Sequence, residues 1–307
     1  MKLVTFDAGL ERRIGALCDG DAALVDLSQD FTDMLALIDA GDAGLERAAA
    51  MLRARALVRP LAGLRLCAPL PEPRQMRDFV CFEKHIRQAR ANRYLFGDGT
   101  ARVDPATVPL SKVWYEQPVC YKCNRFSVVG PETEIIWPRY TAMLDYELEI
   151  GAIIGRRGKD IDRATAAQHI FGYLIFNDFS ARDAQMRESS VGLGPSKGKD
   201  FDTGNAMGPW LVTRDEVPDP YDLSMVARVN GEERSRGNSG EMHHRFEDMI
   251  AHVSADETLH AGEFIGAGTV GNGSGLEHFR FLQPGDVVEL EITGLGILRN
   301  RIGPRRN

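Results

Sequence analysis

Nowhere in the 307 residues is there an uninterrupted apolar run of about 18, the length a helix needs to cross a bilayer. The first residues, MKLVTFDAGLERR, place no apolar stretch ahead of their charges, so no secretory leader is expected. Cysteine is scarce. Cys18, Cys67, Cys81, Cys120 and Cys123 make no even framework and suit a reducing cytosol, and the lone Cys120–Cys123 CxxC has no second pair with which to build a four-sulfur zinc site. Positive charge is also short: 37 Lys and Arg against 44 Asp and Glu give a net charge of −7, a poor match to a phosphate backbone. Low-complexity tracts and fixed-period repeats are missing. These absences exclude nucleic acid and membrane as expected partners and leave a cytoplasmic protein.

What is present is an ordinary globular composition, 43% hydrophobic and 26% charged, long enough for one large domain or a large and a small one. Residues 1–70 read as a small α/β unit: short strands in KLVTFDA and AALVDLS, then helical stretches around Met34–Ala40 and Leu45–Leu57. PLPEPRQ follows with three prolines, a plausible boundary. Residues 71–307 then change texture to short strands broken by Gly and Pro, among them SVVGPETEIIWP, LEIGAIIG, FGYLIFND, PWLVT, SMVARVNGEE and DVVELEITG, with a helix expected over Arg163–His169. The larger part is thus mainly β with some α. A β-roll or barrel fits it better than a doubly wound sheet, which needs a helix after each strand.

Two motifs mislead. GAGTVG, Gly266 to Gly271, matches the dinucleotide fingerprint GxGxxG, but NGSG follows it and cannot readily open the helix that a pyrophosphate needs. Glu289 and Glu291 share one strand face, yet run into the basic tail LRNRIGPRR, which suits a solvated edge. His243-His244 resembles a ligand pair but is expected in a solvated loop.

The pair Glu147 and Glu149 in LDYELEIGAIIG keeps different company. In a strand both carboxylates point one way, while Tyr146, Leu148 and Ile150 fill the other face. The next apolar run, Tyr173–Phe176, delivers Asn177-Asp178 at a strand end, and RDFVCFEKH upstream places Asp78 seven residues before His85. Asp78, Glu147, Glu149 and Asp178 can supply an all-oxygen shell of the kind that holds Mg²⁺, Mn²⁺ or Ca²⁺, and a cation would resolve the repulsion within the glutamate pair. Taken singly, each of these residues has an ordinary structural explanation: a surface acid, a satisfied histidine, a loop lysine at Lys199, a packing tyrosine at Tyr121, an ion pair within Arg182-Asp183. Their order and spacing favour a site.

That order resembles the fumarylacetoacetate hydrolase family over roughly residues 75–300, carried by RDFVCFEKH, WYEQPVCY, LDYELEIGAIIG, IFNDFSARDAQ, LGPSKGKDF, IGAGTVGNGSGLE and LEITGLGILRNRI. The resemblance implies a β-roll catalytic domain behind a small N-terminal domain, a homodimer, and a divalent cation on Asp78, Glu147, Glu149 and Asp178. It further implies His85 as general base, Glu277 as the acid that orients it, Lys199 beside them in the catalytic set, and Tyr121, Arg182, Gln185 and Thr269 as substrate and oxyanion contacts. The chain departs from the family in three places, one being GTVGNGSG around Thr269, where a Gly-Thr-Pro stretch is usual. Gln88 stands where one branch carries the glutamate of a His-x-x-Glu dyad, and HIRQARANRY offers only Arg93 as a residue to grip a substrate carboxylate.

The implied activity is metal-dependent hydrolysis of a C–C bond beside a ketone, in a β-diketone or 2,4-dioxo acid, by water that His85 activates. Decarboxylation or keto–enol isomerisation of a related oxo acid is the alternative. A non-catalytic Ca²⁺-binding protein is the third reading, and it leaves His85, Lys199 and Arg182 without a use.

Overall fold

The computed structural model describes residues 1–9, 11–97 and 99–306. In it the apolar runs become central strands. Leu148–Ile154 and Ile170–Asp178 are buried along their whole lengths and pair antiparallel, with Glu149 opposite Phe176. Continuous burial is what a strand covered on both faces requires. Pleating divides their side chains between two cores. Leu148, Ile150, Tyr173 and Ile175 face one with Ala227, Leu290 and Leu298, whereas Ile153, Leu174 and Phe176 face the other with Leu3, Leu37 and Ile38.

Around this pair an eleven-stranded sheet extends in both directions. Phe264–Gly266 lies antiparallel to Leu148–Ile154, Met76–Phe79 runs parallel to Phe264–Gly266, and Cys120–Lys122 closes that side. On the other side Asn205–Thr213 pairs with Ile170–Asp178, and Lys2–Asp7 pairs with Asn205–Thr213. The N-terminal strands therefore continue the same sheet out to Val58–Pro60. A five-stranded sheet, ordered Glu232–Asn238, Ser224–Val229, Val287–Ile292, Gly296–Arg305 and Glu134–Trp137, covers the first core.

The fold is thus mixed α and β and rich in strands, as expected, and both sheets stay open, so there is no closed barrel among the described residues. No helix described is long and apolar enough to cross a membrane.

Several local expectations change. Arg163–His169 is not an α-helix: Asp162 accepts from the Ala164 amide in a tight turn, which leaves only a 3₁₀ turn over Ala166–His169. The second N-terminal helix spans Gly41–Ala54 and stops at Arg55, whose φ of 50° is left-handed. His244 is buried rather than solvated, bonding the Trp114 carbonyl at 2.7 Å, while His243 stacks on the Trp114 ring. Glu291 takes Arg228 at 2.6 Å on a half-exposed strand, as a solvated face should.

Candidate active site

Sheet geometry assembles the acids. Gly266 sits between Asp78 on one neighbouring strand and Gly151 on the other, two residues along from Glu149. A Cβ on Gly266 would collide with Asp78 Oδ1, and Gly268, at φ +82°, turns its amide back to donate to that same oxygen at 3.2 Å. The two glycines of GAGTVG therefore make room for a carboxylate rather than a pyrophosphate. Asp178 arrives at the end of its strand. Asp78, Glu149 and Asp178 are all buried, with ligand oxygens within 4.8 Å of one another.

Burial and then the neighbouring carboxylates push Asp78 and Glu149 well above the usual carboxylate range. Burial also raises Asp178, and Lys199 draws it back to about 6. Glu149 Oε2 and Asp178 Oδ1 are buried with no hydrogen-bond partner. Orphaned acceptors at a like-charged cluster are costly, and oxygen donors in this number suit a hard divalent cation. Asp78, Glu149 and Asp178 would hold it.

Glu147 lies beside this triad, not within it. Arg182 Nη1 is 2.7 Å from its Oε1 and Lys199 donates to its Oε2. Burial raises this acid too, but the two cations outweigh it and hold Glu147 down at about 2. Lys199 is fully engaged, its Nζ meeting Glu147, Asp178 Oδ2 at 2.7 Å and the Asp178 carbonyl at 3.3 Å, which uses all three donors. Arg182 is 1% exposed and does not line the cavity. It donates from Nε to Asp145 at 2.8 Å and from Nη1 to Gln185 Oε1 at 3.0 Å, so it anchors other side chains, while its buried Nη2 has no hydrogen-bond partner.

His85, on the Glu83–Ala91 helix, places Nδ1 3.1 Å from Glu277 Oε1 across 192 residues of sequence. Glu277 also accepts from the amides of Asn272, at 2.9 Å, and Ser274, at 2.8 Å. The Ser274 bond belongs to a capping box, Ser274-Gly-Leu-Glu277, at the start of the short Gly275–His278 helix. A carboxylate ringed by donors accepts, so the Glu277 contact orients His85 with Nδ1 as its donor.

Tyr121 donates its hydroxyl to Asp178, and Thr269 Oγ1 donates to Glu149 Oε1 at 3.0 Å. Burial first, then Asp178, pushes the Tyr121 phenol well up, so it stays a donor. With Gln185 these two line a cavity of ≈490 Å³, together with Asp78, His85, Glu147, Glu149 and Lys199. Arg93 is exposed in the turn after the His85 helix and is not among the residues described around the cavity.

Two participants, Asp145 and Asn272, were not singled out in the sequence, and Gln88 was noted there only as a departure from the family's dyad. Asp145, fully buried, accepts from Arg182, the Gly275 amide at 2.8 Å and the Leu276 amide at 2.9 Å, tying the Glu277 segment to the glutamate strand. Its spacing of two before Glu147 and four before Glu149 was the available signal. Gln88 and Asn272 join side chain to side chain at 2.7 Å, and the Asn272 amide also donates to Gln88 Oε1 at 3.2 Å.

An open strand-rich scaffold thus presents a buried acidic triad that could hold a divalent cation beside a His–Glu pair suited to proton transfer. Residues 75–303 match the family described as fumarylacetoacetate (FAA) hydrolase C-terminal, and the chain belongs to that family. It is 33% identical over 277 residues, 88% of this chain and 79% of the relative, to the mitochondrial oxaloacetate tautomerase FAHD2A of Homo sapiens. Among solved structures it is similar to a fumarylacetoacetate hydrolase from Exiguobacterium antarcticum, with 29% identity, a TM-score of 0.76 and coverage of 99% of this chain and 100% of that one. A probable 2-hydroxyhepta-2,4-diene-1,7-dioate isomerase from Mycobacterium abscessus gives 28% identity and a TM-score of 0.76, with both chains covered in full. Relatives of this chain thus include a hydrolase, an isomerase and a tautomerase.

Proposed function

We propose that this protein hydrolyses a C–C bond next to a ketone in a small 2,4-dioxo acid or β-diketone, using a divalent cation and a water that His85 deprotonates. The observation that carries this reading is the His85–Glu277 pair, 3.1 Å apart, with His85 on the cavity that Asp78 and Glu149 of the acid triad also line. A cation on Asp78, Glu149 and Asp178 would polarise the ketone oxygens and offset the buried negative charge. His85 Nε2 accepts the proton of water, and Glu277 stabilises the imidazolium so formed. Gln185, its Oε1 fixed by Arg182, keeps its NH₂ group as a donor for the oxyanion on that wall. Lys199 is spent on Glu147 and Asp178, so its part is to hold those acids in place and in charge. The five cysteines are unpaired, in keeping with a cytoplasmic setting.

A second reading, keto–enol tautomerisation, is favoured by the human relative and by the presence of a neutral amide at Gln88, because moving one proton between carbon and oxygen needs only one base. A panel of 2,4-dioxo acids and oxaloacetate, followed by enol absorbance and product analysis with chelator or Mg²⁺, separates the two. Hydrolysis gives two cleavage products, with kcat falling by about 10²–10⁴ in His85→Ala and in Glu277→Gln. Exchange of enol and ketone without cleavage would replace it with the tautomerase reading, and CO₂ release with a decarboxylase.

A further inference from the structure

We propose that the substrate's distal arm is an uncharged acyl or alkyl chain, not a second carboxylate, and that Val119 and Leu193 select it. This rests on the reading of the site as one for oxo acids and deepens it. Exposure grades the cavity by depth. Asp78, Glu149, Lys199 and Thr269 at its floor are each under 5% exposed, whereas Val119 is 43% and Leu193 79% exposed at its rim. Chemistry changes along the same axis. The floor is mostly carboxylate, lysine and hydroxyl, with Phe79 among them, and the rim carries Val80, Val119, Leu193 and Pro195 with Gly192 and Gly194, Ser189 being its one polar side chain among the described exposed lining residues.

A second carboxylate at that rim would meet no available cation among the described lining residues. Lys199 has all three donors engaged, and the only other basic lining group, His85, is turned to Glu277. Lys197, two residues beyond Pro195, is held over the Tyr140 ring at 5.5 Å. An apolar arm, by contrast, would cover apolar surface that now faces water, and gain from doing so. The segment that presents Leu193 is fastened at its base, where Glu188 accepts from the amides of Lys197 at 3.1 Å and Gly198 at 3.2 Å. The wall is therefore a built part of the site.

The test measures binding without turnover, by calorimetry on the whole protein in saturating Mg²⁺. The ligands are 2-oxo monoacids from 2-oxobutanoate to 2-oxooctanoate, and the diacid 2-oxoadipate. We expect Kd to fall by about fourfold per added methylene at most, 2-oxoadipate to bind about tenfold or more weaker than 2-oxohexanoate, and Leu193→Ser and Val119→Ser each to flatten the chain-length slope. A flat slope in the wild type, equal or tighter binding of the diacid, or no binding by any member would overturn the proposal. Binding in the expected order by a protein that cleaves no dioxo acid would sink the hydrolase reading alone. Cleavage with a preference for diacids would sink this one alone.

Discussion

Glu147 and Glu149, two residues apart and lining one cavity, carry opposite electrostatic burdens. Glu147 has an arginine and a lysine on its two oxygens and is held fully ionised. Glu149 has one hydroxyl on Oε1 and nothing on Oε2, and burial with Asp78 beside it drives its proton affinity up. The protein neutralises the first glutamate itself and gives the second no ion pair among those described. Repulsion between neighbouring acids, which the sequence alone suggests, is thus relieved at Glu147 and left standing at Glu149.

Cation binding should therefore register as stability. Adding Mg²⁺ or Mn²⁺ to chelator-treated protein should raise Tm, with about 2.7 kcal/mol gained at a hundredfold excess over Kd. Glu149→Gln and Asp78→Asn should abolish that gain while leaving the metal-free protein as stable as the wild type or more so, since each removes a repelling carboxylate. Differential scanning fluorimetry with and without chelator decides it. A full metal-induced shift in both variants would mean that the cation sits elsewhere.

Gly266 offers a test of the scaffold that removes no charged group. A methyl there meets Asp78 Oδ1, so Gly266→Ala must move the carboxylate or the strand. The expected cost is about 1–3 kcal/mol, with the metal-induced Tm shift lost. Chemical denaturation of the metal-free variant, read beside its metal titration, separates the two effects. An alanine variant with wild-type values in both would show that Asp78 can stand aside.

Much of this architecture is legible in the chain because it is local. Period-two alternation places Glu147 and Glu149 together, and an unbroken apolar run ending at Asp178 reads as a buried strand with an acid at its tip. What is not legible depends on partners far away in sequence. Arg182 has the chemistry of an oxyanion donor, and only its bonds to Asp145 and Glu147 show that it also anchors these acids. Lys199 reads as a free cation until its three acceptors are in view. His244 hides its burial because the Trp114 that covers it is 130 residues away. The helix expected over Arg163–His169 fails for a local reason, an Asp162 turn that outcompetes helical bonding.

The N-terminal strands give a pH prediction. Asp26 is 1% exposed, and burial alone would raise it, but the Ser28 amide at 2.9 Å and Arg59 Nε at 2.9 Å hold it below the ordinary range. A group whose folded value is depressed contributes stability above its unfolded pKa of about 3.9, and that contribution is lost as pH falls through the folded value. Asp26→Asn should therefore cost about 1–3 kcal/mol at pH 7, with the gap to wild type closing below about pH 4. Urea titrations at pH 7 and pH 3 check it, and a gap that persists at pH 3 would point to shape and not charge.

Gln88 should act on turnover through Glu277 without touching substrate. Its amide grips Asn272 by two bonds, and Asn272 in turn donates its backbone N–H to the Glu277 oxygen that faces His85. Gln88→Leu keeps the volume and removes both bonds. The loop at Asn272, which has a left-handed φ of 63°, would then lose its tie to the His85 helix, and the carboxylate would no longer be held in line with Nδ1. Loss of about 1–1.5 kcal/mol of hydrogen bonding corresponds to about tenfold in rate. The expectation is a tenfold drop in kcat with KM changed by less than about twofold, because the cavity floor that grips substrate is untouched. A defect in KM with kcat preserved would place Gln88 in substrate binding. Equal turnover by the variant would show that the capping bonds from Ser274 alone hold Glu277 in place.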